Sequence, residues 1–172
     1  MTGNIIFIGF MGAGKTSVGR AVSRRFHMDF LDTDEYIEKK AGMSVSEIFR
    51  TAGEEGFRRM ETEALQALEK EAENCVISAG GGLPLREENR ELLKKLGTVI
   101  YLKVSPETVK ERLKGDTTRP LLAGPDPEKK IRELLEYREP LYEQAAHYTV
   151  DVNGRAPEEI GEEAAQNAGI RI

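Results

Sequence analysis

Short β-rich apolar runs alternate with longer helical stretches along this chain. Residues 4–9 (NIIFIG) form a continuous apolar run rather than an alternating one, which predicts a strand buried on both faces. Lys15 to Phe26 reads as a helix, and Phe30-Leu31 as a short strand ending at Asp32-Thr33-Asp34. A helix is expected over roughly 33–41. Ser44-Val45-Ser46-Glu47 has capping-box spacing and predicts another short helix, followed by a longer one over roughly 54–73. Cys75 to Ala79 (CVISA) is a second buried strand, closed by Gly80-Gly81-Gly82. Residues 86–96 read as helix and Thr98 to Val104 as strand. Ser105-Pro106-Glu107 places an N-cap serine before a first-turn proline. The rhythm breaks at 114–127, where glycines and prolines surround a lone Leu-Leu pair and predict a mobile loop. A helix then runs to about 146, with a kink or split expected at Pro140. Tyr148 to Val152 gives the last strand, and a closing helix starts at Pro157. Such alternation predicts an α/β domain, a parallel sheet covered on both faces.

The chain has 172 residues, which suits one domain spanning 1–172. No stretch approaches the roughly 18 to 20 apolar residues of a membrane span, and no signal-peptide pattern opens the chain. Cys75 is the only cysteine, so an internal disulfide is impossible and a reducing cytoplasm is expected. A formal net charge of -5 argues against nucleic-acid or membrane binding. A few placed arginines can still make a positive pocket for a small anion.

Gly9-x-x-x-x-Gly14-Lys15-Thr16 supplies the chemistry that the apolar pattern lacks. It sits between a predicted buried strand and a predicted helix, the context of a phosphate-binding P-loop. Glycines let consecutive N–H groups approach phosphate oxygens, and the helix N-terminus adds unpaired donors. Gly12, Ala13 and Gly14 would supply backbone, Lys15 a charge for the β- and γ-phosphates, Thr16 a hydroxyl for Mg²⁺, and Ser17 a further phosphate contact. The motif selects a nucleotide, not a reaction. A guanine-reading Asn-Lys-x-Asp is absent, which disfavours a GTP switch.

A second substrate is suggested by three further stretches. Asp32 and Asp34 end a strand where α/β sheets open toward ligands. One can hold metal-bound water while the other meets a substrate hydroxyl, or both can be helix N-cap residues. Arg58 and Glu61 share a helix face. They form either a surface ion pair or a carboxylate clamp in which Glu61 holds the arginine fork. Gly80-Gly81-Gly82 puts bare backbone at the crevice again, as close approach of a compact ligand requires.

Together the motifs GxxGxGKT, DTD, FRxxE, GGG, RPLL and RxPLY resemble the shikimate kinase family. They lie at Gly9 to Thr16, Asp32 to Asp34, Phe57 to Glu61, Gly80 to Gly82, Arg119 to Leu122 and Arg138 to Tyr142. The resemblance implies a three-layer P-loop kinase fold with a central five-stranded parallel sheet. It implies ATP-dependent phosphorylation of the 3-hydroxyl of shikimate, in aromatic amino acid biosynthesis, with Mg²⁺, in a monomer. By position, Lys15, Asp34 and Arg119 would be catalytic, and Asp34, Arg58, Arg138 and the three glycines would bind shikimate. Val45, Phe49 and Phe57 would shape the pocket, within a shikimate-binding helical region over about 33–61. Arg119 would act from a mobile lid over about 112–126, hinged at Gly115 and Gly124. Arg112 and the Arg155-to-Pro157 segment would flank adenine. No aspartate ends the CVISA strand, so Asp32 would join Thr16 at the metal, through water. The competing reading is a P-loop kinase for gluconate or a nucleoside monophosphate.

Overall fold

The computed structural model describes residues 3–114 and 125–170. Five parallel strands, β1 (Ile5–Ile8), β2 (Asp29–Asp32), β3 (Cys75–Ser78), β4 (Thr98–Lys103) and β5 (Tyr148–Asp151), form one sheet in the order β2-β3-β1-β4-β5. The continuous apolar runs occupy its middle: every residue of β1 and β3 is buried. The more polar DFLD and YTVD form the half-exposed edges.

The helices are α1 (Lys15–Phe26), α2 (Thr33–Ala41), α3 (Val45–Glu71), α4 (Glu87–Leu96), α5 (Pro106–Arg112), α6 (Pro127–Ala145) and α7 (Pro157–Asn167). Right-handed crossovers dictate their layers. The chain moves one way along the sheet from β1 to β2, so α1 takes one face, where α7 packs against it. It moves the other way for each later crossover, so α3, α4 and α6 take the opposite face. The connections after the adjacent strands β1 and β3 therefore diverge to opposite faces. That divergence opens a crevice at their C-terminal ends, where the two glycine loops lie.

One expectation holds and one changes. The short helix and the longer helix predicted over 44–73 are the two segments of α3, the first capped by Ser44, whose hydroxyl accepts from the Glu47 N–H. The sequence break survives as a bend at Gly53, whose φ of 73° lies in the left-handed region. Pro140 does not split α6, which runs through it. Ile131, Leu135, Arg138 and Tyr142 are buried along this helix, and their packing offsets the one backbone hydrogen bond that proline forgoes. The predicted RPLL loop, with Arg119 and the hinge glycines, lies outside the described residues. Among those described, no helix is long and apolar enough to cross a membrane.

Candidate active site

At the end of β1 the chain turns through Gly12 and Gly14, both left-handed, and enters α1 with no side chain capping its first turn. The first helical N–H groups are left for an anion. The Ala13 N–H returns to the Phe10 carbonyl at 3.1 Å, closing the loop. Lys15 Nζ donates to the Gly9 carbonyl at 2.6 Å, which folds the ammonium back over the loop. Arg112 reaches across from α5 and donates to the Gly12 carbonyl at 2.8 Å.

Beside this loop opens a cavity of about 470 Å³. Its lining includes Gly12, Gly14, Lys15, Thr16, Ser17, Asp32, Asp34, Arg58, Glu61, Gly80, Gly81, Gly82 and Arg138. Val45, Phe49 and Phe57 supply an apolar wall, with the two phenylalanine rings 4.9 Å apart. The structure thus brings the nucleotide loop and the second-substrate stretches to one place.

Each glycine of the triplet faces a different charged side chain. A methyl group on Gly80 would come within 2.8 Å of Asp34 Oδ1 and 3.3 Å of Glu61 Oε2. On Gly81 it would lie 3.6 Å from Arg138 Nη1 and 3.8 Å from Lys15 Nζ. On Gly82 it would overlap the Arg58 guanidinium. Arg58 and Glu61 are no surface pair: their side chains are 14% and 1% exposed, with Nη1 and Oε1 2.7 Å apart.

Among the described residues, the buried side-chain polar atoms with no hydrogen-bond partner are Asp34 Oδ1, Glu61 Oε2 and Arg138 Nε. All three residues line this cavity. Buried polar groups are ordinarily paired. Two open carboxylate oxygens call for hydroxyl donors, and a buried guanidinium over the Phe10 ring calls for an anion.

Burial raises the Asp34 carboxyl above its usual range, with Asp32 adding to the effect and Lys15 opposing it. Burial likewise raises Glu61 to about 7, against the pull of Arg58. A carboxyl group that keeps its proton longer when folded makes the fold less stable as pH rises from 4.5 toward 7, because the unfolded chain has already released that proton. Glu61→Gln removes this term. Relative to the unsubstituted protein it should gain up to about 3 kcal/mol between pH 5 and pH 8. Urea unfolding across that range checks it, and a pH-independent difference would contradict it.

Of the two roles left open for Asp32, the helix cap is the one observed. Its Oδ1 caps α2, accepting from the Asp34 and Glu35 N–H groups at 2.8 and 3.2 Å, and the residue also lines the cavity beside Thr16. No cluster of three or more acidic, histidine or cysteine side chains able to hold a metal occurs among the described residues. One hydroxyl and one carboxylate suit Mg²⁺, which keeps several waters and binds through phosphates.

Arg155 stands apart from the cavity lining. It pairs with Glu159 and Glu163 of α7 and donates to the Asp151 carbonyl. Three further residues support the glycine loop and the turn after it. The Thr33 hydroxyl accepts from the Gly80 N–H at 2.9 Å, the Tyr142 hydroxyl donates to the Gly81 carbonyl at 2.7 Å, and Asn89 donates to the Leu83 carbonyl at 2.9 Å. Thr33 and Tyr142 sit inside the DTD and RxPLY stretches, the only signal that could have found them. Asn89 has none.

A model of the shikimate kinase family matches residues 11–168. A shikimate kinase of Caldanaerobacter subterraneus subsp. tengcongensis is 49% identical over 93% of this chain and 92% of its own length. One from Thermodesulfovibrio yellowstonii is 48% identical over 92% and 91%. The solved shikimate kinase of Acinetobacter baumannii in complex with shikimate superposes with a TM-score of 0.88, at 42% identity, covering 95% of this chain and 90% of that one. With a family match over nearly its whole length and a cavity that joins a nucleotide loop to an acid-binding cradle, this chain belongs to the shikimate kinase family.

Proposed function

We propose that this cavity transfers the terminal phosphoryl group of ATP to the 3-hydroxyl of shikimate, with Mg²⁺ bound, in a cytoplasmic monomer. The observation that carries the reading is the glycine triplet, which lies in contact range of Asp34, Lys15, Arg138 and Arg58 at once. An alcohol, a phosphoryl group and a carboxylate can therefore be held within one compact ligand's reach. The lone cysteine is buried and free, as suits a reducing compartment.

Arg58 and Arg138 would grip the acceptor's carboxylate. Glu61 holds the Arg58 fork through one oxygen and offers the other to an acceptor hydroxyl. Asp34, with its open Oδ1, would take the hydrogen bond of the reacting alcohol and align it toward the P-loop. A loose phosphoryl-transfer transition state asks for alignment and charge neutralisation more than for a strong base. Lys15, with the open N–H groups of α1, would neutralise the moving phosphoryl, and Arg119 would add to this. Bound through Thr16 and, by way of water, Asp32, Mg²⁺ would supply further neutralisation of phosphate charge. Arg112 would border the nucleotide at the Gly12 turn. Arg155 would reach adenine only by giving up its carboxylate partners on α7.

Two arginines for one carboxylate favour a compact acid over a nucleoside monophosphate. Arg58→Lys replaces a planar fork by a point charge. It should raise the KM for shikimate roughly tenfold while leaving that for ATP within twofold. Equal effects on both would make Arg58 merely structural. The position of transfer is tested by ³¹P and ¹H NMR of the product: a phosphate ester at the 3-hydroxyl is expected, and an ester elsewhere would overturn the proposed pose.

A further inference from the structure

The glycine triplet presents two donors to the acceptor because its peptide planes are fixed, and for the plane between Gly81 and Gly82 the geometry points to Tyr142. Backbone groups around 80–83 can be followed one by one. The Gly80 N–H goes to Thr33 Oγ1, the Gly80 carbonyl to the Leu83 N–H, and the Gly82 carbonyl to the Leu85 N–H. The Gly81 carbonyl takes the Tyr142 hydroxyl at 2.7 Å. Of these groups, the Gly81 and Gly82 N–H have no acceptor among the described residues, and both residues line the cavity.

A trans peptide points its C=O and N–H in opposite directions, and no described peptide is cis. Holding the Gly81 carbonyl toward Tyr142 therefore turns the Gly82 N–H away from Tyr142. Because this plane is flanked by glycine on both sides, its rotation meets little steric resistance. Flipped, it would present a carbonyl where the acceptor needs a donor. Tyr142 is well placed to prevent this. It is fully buried, its ring is 5.2 Å from that of Tyr101 on β4, and it lies one helical turn after Arg138 on α6. One face of α6 thus serves the acceptor twice, through a guanidinium and through the locked peptide.

Tyr142 is accordingly a positioning residue for the acceptor, an inference that rests on the shikimate reading above. Its test is Tyr142→Phe, which keeps the ring and removes the hydroxyl together with its hydrogen bond to Arg138. Repeated in an Arg138→Lys background it should still weaken shikimate binding by the same factor, and no further loss there would show that the hydroxyl acts through Arg138 and overturn the inference. Calorimetric titration with shikimate should give a Kd raised about 5- to 10-fold, the worth of one such hydrogen bond. The KM for ATP should stay within twofold. Tyr101→Phe, a neighbouring buried phenol remote from the triplet, should leave shikimate affinity unchanged. If Tyr142→Phe lowers the melting temperature but binds shikimate as tightly as the unsubstituted protein, the hydroxyl is structural only and the inference fails. If both variants weaken shikimate binding alike, general loosening of the core is the cause, and the inference fails as well. If the unsubstituted protein itself shows no shikimate binding, the acceptor reading has failed first, a result distinct from either.

Discussion

Asp34→Asn should leave ATP binding nearly intact while kcat falls by roughly 10²- to 10⁴-fold, the range for removing a positioned acid–base group. Asparagine matches aspartate in size, and the Asp34 N–H that bonds Asp32 is untouched. What changes is the charge and basicity of a carboxylate whose buried Oδ1 has no partner among the described residues and faces Gly80. An amide has no charge to orient the acceptor hydroxyl and takes no proton from it. Because burial already disfavours the Asp34 carboxylate, a neutral amide should not destabilise the fold at pH 8. Loss of turnover with stability preserved therefore separates a chemical role from a structural one. Steady-state rates and nucleotide titrations check this, and near-normal turnover would remove Asp34 from the mechanism.

Gly82→Ala should act as an arginine variant made at a distance. Gly82 has φ -92° and ψ -5°, a conformation alanine adopts freely, so the backbone is not strained. Its methyl group would occupy the space of the Arg58 guanidinium, which is held there by Glu61. The flexible arginine must move, the fold survives, and the carboxylate grip is lost. Charge-assisted hydrogen bonds of this kind contribute about 1.5–3 kcal/mol, so the KM for shikimate should rise roughly 10- to 100-fold. The KM for ATP should hardly move. Steady-state kinetics in both substrates checks the split; an unchanged KM for shikimate would show that the triplet does not need bare backbone beside Arg58.

The sequence carried the parts of this site that are local. The P-loop was legible because strand, glycines, lysine and helix follow one another within a few residues, and five strands fell where apolar runs predicted them. Asp34, Arg58 and the glycine triplet were each visible, but Arg58 with Glu61 read equally well as a surface pair. Only burial, which depends on how α3 packs against α2 and α4, decides that question. The break at Gly53 was legible as the boundary between a short helix opened at Ser44 and a longer one from about residue 54. Pro140 misled, since tertiary packing of α6 outweighs a local helix breaker. Thr33 and Tyr142 act on the triplet across sequence separations of 47 and 61 residues, and Asn89 holds the Leu83 carbonyl just after it, bonds that no local pattern encodes. Arg155 matched by position, yet its carboxylate partners on α7 are evident only from the fold.

In the proposed function a single cavity joins a nucleotide's terminal phosphoryl group to the alcohol of a small carboxylic acid. ADP release, measured in parallel with shikimate, gluconate and nucleoside monophosphates as acceptors, tests that claim most directly. Rapid release with shikimate and only background with the others is the predicted result. Release driven by gluconate or a nucleoside monophosphate, with none above background for shikimate, would contradict it.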